Sequence, residues 1–266
     1  MKTTDIVDAH IHLFDLDKGN YQWLSDQKAP FWPDKYKIRK HFSEQDIALT
    51  EPFSLAGFVH IEAGFDNEKP WREIQWLEQE CKLPFRSVAA VDLTLGEQEF
   101  KQQLTRLTQY QSVVGVRHIL DEEAFELLSN EQVISNFKQL DNKALNFEVQ
   151  MSFVCRESTL TLCKIISTNK NSAFIINHAG SPPTALDSFV WQQWQYNLAL
   201  VAQYKNVAIK CSGWEMMNRE YDVDWLNKVI STCLNVFSSS RVMLASNFPL
   251  VLFARPYQDY WQMLIE

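Results

Sequence analysis

The stretch Ile6-Val7-Asp8-Ala9-His10-Ile11-His12 decides how the chain is read. It is short, apolar and β-branched at its start, and predicts a strand. Strand side chains alternate faces, so His10 and His12 share one side and Asp8 joins them. Two neighbouring imidazoles at the end of a first strand suit a metal site or the polar floor of a catalytic cavity. Five of the six histidines lie in such apolar runs, so the pattern extends beyond this segment.

Seven further runs read as strands: Leu55 to Ile61, Phe85 to Leu93, Val113 to Ile119, Asn146 to Phe153, Ala173 to His178, Val207 to Cys211 and Arg241 to Ser246. Helical patterns lie between most neighbours, at Trp71 to Cys81, Glu97 to Tyr110, Asn130 to Asp141, Ser158 to Thr168, Trp191 to Tyr204 and Trp225 to Phe237. Alternation of this kind calls for a parallel sheet, because parallel neighbours need a crossover. Eight units in roughly 250 residues predict a closed (β/α)8 TIM barrel of the α/β class. The competing open, doubly wound sheet would show a glycine-rich first turn. This chain has seven glycines and no G-x-G-x-x-G.

One long connection, Leu13 to Pro52, carries Tyr21, Trp23, Phe31, Trp32 and Pro33, then a basic stretch from Lys35 to Lys40. It reads as an excursion over the barrel mouth, either an aromatic plug or a substrate lid. No repeat, low-complexity tract or Pro/Gly/Ser-rich linker divides the chain, so residues 1–266 read as a single domain.

Hydrophobic residues make up 46% of the 266, enough for a full core, and the formal net charge is −8. No Lys/Arg-rich run offers a footprint for a phosphate backbone, which excludes nucleic acid as an expected partner. No stretch of about 18 apolar residues predicts a membrane span. Only Met1-Lys2-Thr3-Thr4 precedes the first strand, which leaves no room for a secretory segment and sets a cytoplasmic expectation. The five cysteines include no C-x-x-C pair, so neither a disulfide framework nor a zinc knuckle is expected.

A parallel barrel collects its active site at the C-terminal ends of the strands. Here the ends are consistently polar: His10 and His12; His60 and Glu62; Asp92; Arg117 and His118; Asn177 and His178; Lys210 with Trp214 and Glu215; Ser246 and Asn247. The plainest structural partners would be Asp92 for Arg117 and Glu215 for Lys210. Convergence at one rim instead makes His60, Glu62, Arg117, His118, Lys210 and Trp214 candidates for binding substrate.

Together these segments resemble a known family. VDAHIHLFD (Val7 to Asp15) is similar to the opening of the amidohydrolase superfamily. GVRHIL (Gly115 to Leu120), INHAGSPP (Ile176 to Pro183), NVAIKCSGW (Asn206 to Trp214) and RVMLASNFPL (Arg241 to Leu250) resemble its branch of TIM-barrel hydrolases that includes sugar lactonases and pyrone-dicarboxylate lactonase. The resemblance implies that His10 and His12 occupy the first-strand metal or substrate positions and His178 the sixth-strand position, with Arg117 and His118 in the substrate pocket. The expected catalytic set is His178, Asn247, His12 and Arg117. Asn247 stands where many relatives have the aspartate of S-D-W-P, the general base or metal ligand, and an amide serves poorly in either role. Asn177 replaces the acid that commonly precedes the sixth-strand histidine. Relatives usually continue through a fuller eighth helix, so incomplete cover is expected beyond Tyr257.

The expected function is hydrolysis of a small sugar-acid or carboxylated lactone. A metal-dependent decarboxylase of the same superfamily and a catalytically impaired ligand-binding barrel are the alternatives. Three neutral histidines would suffice for a catalytic Zn²⁺. In a metal-free route, His178 or His12 would act as base, Arg117 would bind an acidic group or the oxyanion, and Asn247 would donate through its NH₂. The expected partner is a polar or acidic small molecule, with an oligomer left open.

Overall fold

The computed structural model describes residues 3–265. Eight strands pair in parallel in chain order: β1 (Thr4–Ile11), β2 (Phe53–Ile61), β3 (Phe85–Ala90), β4 (Val113–Ile119), β5 (Asn146–Gln150), β6 (Phe174–Ile176), β7 (Val207–Cys211) and β8 (Val242–Leu244). The seam between β8 and β1 is closed just beyond the ladder. Ile11 bridges Phe248, the Asn247 amide donates to His10 O at 2.9 Å, and the His12 amide donates to Phe248 O at 2.6 Å. The result is the expected (β/α)8 TIM barrel, nearly closed.

Around it lie α1 (Trp71–Glu80), α2 (Glu97–Leu107), α3 (Ala124–Ser129), α4 (Glu131–Asn142), α5 (Arg156–Thr168), α6 (Phe189–Ala202), α7 (Trp214–Met217), α8 (Val223–Phe237) and α9 (Tyr257–Ile265). Their starts follow the sequence. Asn130, Ser188 and Asp222 each accept a hydrogen bond from a first-turn amide of α4, α6 and α8, satisfying donors that a helix leaves open. Several predicted strands run longer than the ladder, which ends at Ala90, Gln150, Ile176 and Leu244. Beyond those points the polar residues leave the sheet and turn toward the mouth. The expected gap near the chain's end is covered, since α9 buries Tyr257, Tyr260 and Trp261. Among the described residues, no helix is long and apolar enough to cross a membrane.

A bulge in β1 shapes the site. Asp8 pairs with Phe58 and Ile11 with His60, so β1 advances three residues while β2 advances two. The extra residue breaks the alternation. Asp8 therefore does not join the two histidines as the simple strand period predicted. Its buried carboxylate accepts from Ser246 N (3.0 Å), Ser246 Oγ, Tyr257 OH (3.1 Å) and His10 N (3.1 Å), tying β1 to the residues after β8 and to α9. Burial pushes its pKa up to about 6 against the pull of these bonds.

The excursion has a core of its own, in which Phe14 packs on Tyr21, Trp23 and Phe42. The buried Lys35 ammonium donates to three carbonyls, those of Trp23 (2.8 Å), Ser25 (2.9 Å) and Lys28 (2.9 Å). Trp23 Nε1 donates to Ala63 O at 2.7 Å, and Arg219 pairs with Asp34 while lying on the Phe253 ring. These ties fix the segment against the barrel mouth.

Candidate active site

A cavity of about 730 Å³ opens at the C-terminal end of the barrel. Trp23, Ala29, Pro30 and Trp32 of the excursion form part of its wall, and His12, Glu62, Arg117, Gln150, His178 and Asn247 bring the polar groups. The excursion thus forms part of the cavity wall.

His12 is fixed in one tautomer. Its Nδ1 lies 2.8 Å from Ile61 O and 3.2 Å from Glu62 O. Both partners are acceptors only, so Nδ1 carries the proton and Nε2 keeps a lone pair. His10 is fully buried, and neither of its ring nitrogens has a partner. Its ring centroid is 5.0 Å from that of His12 and 4.7 Å from that of His178. A buried polar ring without a partner is costly, and such an orphan next to two other imidazoles marks a place built for a ligand.

His178 sits on a tight left-handed turn in which residues 178 to 181 have φ of 51°, 51°, 69° and 56°. Backbone held in that region by non-glycine residues stores strain, a frequent mark of functional sites. Its Nδ1 lies 2.9 Å from Ser212 Oγ. Beside it, both amide atoms of buried Asn177 are also without partners.

The three imidazoles are held neutral. Burial, with smaller contributions from the Arg117 charge, lowers His12 to about 3, and burial holds His10 and His178 well below the usual histidine value. The donor chemistry suits a divalent metal. Their nitrogens stand wider than a closed metal site: among the described residues the trio with donors within 4.8 Å of one another is Asp15, Asp17 and His41 on the excursion. The barrel imidazoles would grip an ion only after turning toward one another.

Arg117 reaches the cavity already paired. Nε and Nη2 donate to Glu62 Oε1 at 2.8 and 2.7 Å, Nη2 donates to Glu62 O at 3.0 Å, and Nη1 donates to Gln150 Oε1 at 2.8 Å. Burial alone would raise the Glu62 carboxyl; the guanidinium outweighs it and leaves the group below its ordinary value. Asn247, with φ 61°, donates through Nδ2 to Glu215 Oε1 at 2.6 Å. Glu215 is fully buried, its other oxygen is unpartnered, and burial lifts its carboxyl to about 7.

Several expected substrate residues lie elsewhere. His60 accepts from Leu13 N at Nδ1 (3.3 Å) and donates from Nε2 to Glu73 on α1 (3.0 Å), so it faces the helix layer. Lys210 is inside the barrel but paired with Glu148 at 2.6 Å, not with Glu215. Trp214 is buried, donating to Tyr260 OH at 3.1 Å and packed on Trp225. His118 is absent from the cavity wall and lines an adjoining hollow of about 300 Å³ beside Asp92, which Arg117 and Glu62 also border. Asp92, the simplest partner for Arg117, is displaced by Glu62. The NH₂ of Asn247 is directed at Glu215. Sequence reasoning passed over Gln150 and Ser212, although both stand at strand ends, the one signal that could have found them.

A family model described as amidohydrolase matches residues 7–266, and the chain belongs to that family. Among curated proteins it is 27% identical over 275 residues to the uncharacterised protein y4mH of Sinorhizobium fredii, covering 98% of this chain and 90% of that one. In structure it is similar to an amidohydrolase from Burkholderia multivorans, seen with HEPES (TM-score 0.76, 16% identity) and with zinc (0.74, 17%), covering 98% of this chain and 90% of that one in each case. It is also similar to a candidate 2-pyrone-4,6-dicarboxylic acid hydrolase from Pseudomonas putida (0.68, 14%), over 97% of this chain and 88% of that one. At these identities the structural likenesses establish the barrel.

Proposed function

We propose that the chain is a hydrolase that opens a small cyclic ester, using the floor formed by His10, His12 and His178. The observation that carries this reading is His10, buried with both ring nitrogens unpartnered and packed against His12 and His178, the two imidazoles that line the cavity. These three side chains would hold a divalent metal, with zinc first in view of the zinc-bound neighbour. Such an ion, when bound, lowers the pKa of a coordinated water and polarises an ester carbonyl.

Depressed basicity decides between two roles for the imidazoles. A ring that takes up a proton only near pH 3 is a poor base at neutral pH, yet offers a neutral lone pair throughout the physiological range. Ligation is therefore favoured over histidine base catalysis. The carbonyls of Ile61 and Glu62 orient His12, and Ser212 orients His178. With Nδ2 held by Glu215, Asn247 keeps Oδ1 to accept from a water or a substrate hydroxyl. Trp23 and Trp32 supply an apolar wall for a ring.

A panel of sugar and pyrone lactones, read by acid release from zinc-loaded and chelator-treated protein, tests the proposal. Turnover by the loaded protein is expected, together with a zinc-dependent rise in melting temperature that His10→Gln abolishes. Folded protein inactive on every lactone removes the hydrolytic reading, and CO₂ release would point to decarboxylation instead. Activity that appears only in Asn247→Asp would mark a ligand-binding barrel.

A further inference from the structure

Among the described residues lining the cavity, Arg117 is the one lysine or arginine, and three carboxylates, Glu62, Asp121 and Glu122, line it as well. The guanidinium does not present a free fork. Two of its nitrogens donate to Glu62 and a third to Gln150. Both Arg117 and Glu62 are buried, at 6% and 8% exposure, so salt screens the pair little and its charges cancel locally. An entering carboxylate would have to displace Glu62 from a desolvated pair and pass the exposed Asp121 and Glu122 at the rim. A ring bearing hydroxyls meets no such obstacle. Its apolar face can lie on Trp23 or Trp32, and its hydroxyls can bond to Gln150, Asn67 and the outer oxygens of the carboxylates.

We infer that this site takes an uncharged, hydroxyl-bearing ring, and that Glu62 is the specificity-determining residue that excludes carboxylated ones by neutralising Arg117. The kind of ring rests on the hydrolytic reading above; its charge rests on the ion pair. A divalent metal at the imidazoles would add positive charge at the floor without opening the Arg117 fork.

The test uses matched probes: aldono-1,4-lactones and the corresponding aldaro-1,4-lactones, which differ in a terminal CH₂OH against a carboxylate. Binding is measured by calorimetry on zinc-loaded and chelator-treated protein, and ring opening separately by acid release. The wild type is expected to bind at least one neutral member about tenfold or more tightly than its charged twin, and Glu62→Gln to shrink that preference about tenfold. Should Glu62→Gln fail to fold, Asp121→Asn combined with Glu122→Gln, both on the exposed rim, is expected to shift the preference in the same direction by a smaller factor. A wild-type preference for the charged twin, no saturable binding of any neutral member, or an unchanged preference in the folded variants overturns the inference. Neutral binding without acid release leaves it standing and removes the hydrolytic reading. Ring opening confined to carboxylated members does the reverse.

Discussion

Gly213 shows how one backbone position holds a functional side chain in place. Its φ is 71°, and a Cβ added there would lie 2.6 Å from His178 Cγ. The left-handed backbone itself costs an L-residue about 1–2 kcal/mol, and the clash must be relieved by moving the imidazole. Gly213→Ala is therefore expected to weaken zinc affinity and any turnover by about tenfold or more, while lowering stability by only about 1–2 kcal/mol. Metal titration alongside urea unfolding checks this; zinc affinity equal to wild type would mean that His178 does not depend on the space Gly213 leaves.

At the scale of an element, the excursion between β1 and β2 has no regular secondary structure beyond three short 3-10 segments, yet it supplies the aromatic wall of the cavity. What orders it is the buried Lys35 ammonium, whose three donors match three carbonyls of the excursion, those of Trp23, Ser25 and Lys28. A basic stretch that reads as solvated surface in sequence thus begins with an internal strut. Lys35→Met keeps much of the volume and removes every donor, at a local cost of about 3 kcal/mol or more. Trypsin should then cut after exposed Lys28 about tenfold faster or more, while amide exchange in the barrel strands stays as in wild type. Equal cutting rates would show that the ammonium does not order the segment.

The whole molecule encloses titratable groups in its barrel, so its stability must depend on pH. Glu215 has a folded-state pKa raised from 4.5 to about 7, chiefly by burial. The folded state holds this proton more tightly than the unfolded chain, so the contribution is complete below about pH 4.5 and is lost as pH rises through 7. The loss amounts to about 3 kcal/mol. The buried histidines act oppositely: their depressed values make stability fall as pH drops below 6.5. Comparison with Glu215→Gln cancels the histidine effect. The wild-type advantage over this variant is expected to shrink by about 3 kcal/mol between pH 4.5 and 8 in urea unfolding, and a constant difference would place the Glu215 carboxyl near its ordinary pKa.

The chain's own residues determined the barrel and most of the rim, because hydrophobic period and element length are local properties that survive in one dimension. Val113 to Ile119 and Val207 to Cys211 were legible to the residue, and His12, His178, Arg117 and Asn247 could be placed at one mouth because strand ends converge in this architecture. Direction and partnership were not legible. One extra residue in β1 turns Asp8 away from the histidines, His60 turns to a helix carboxylate, and Arg117 finds Glu62 across 55 positions of sequence in place of the nearer Asp92. A bulge, a register and a buried ion pair each depend on what the neighbouring strand or helix presents. Only the folded barrel, by bringing distant segments within hydrogen-bond reach, decided which polar groups face the cavity and which are already satisfied.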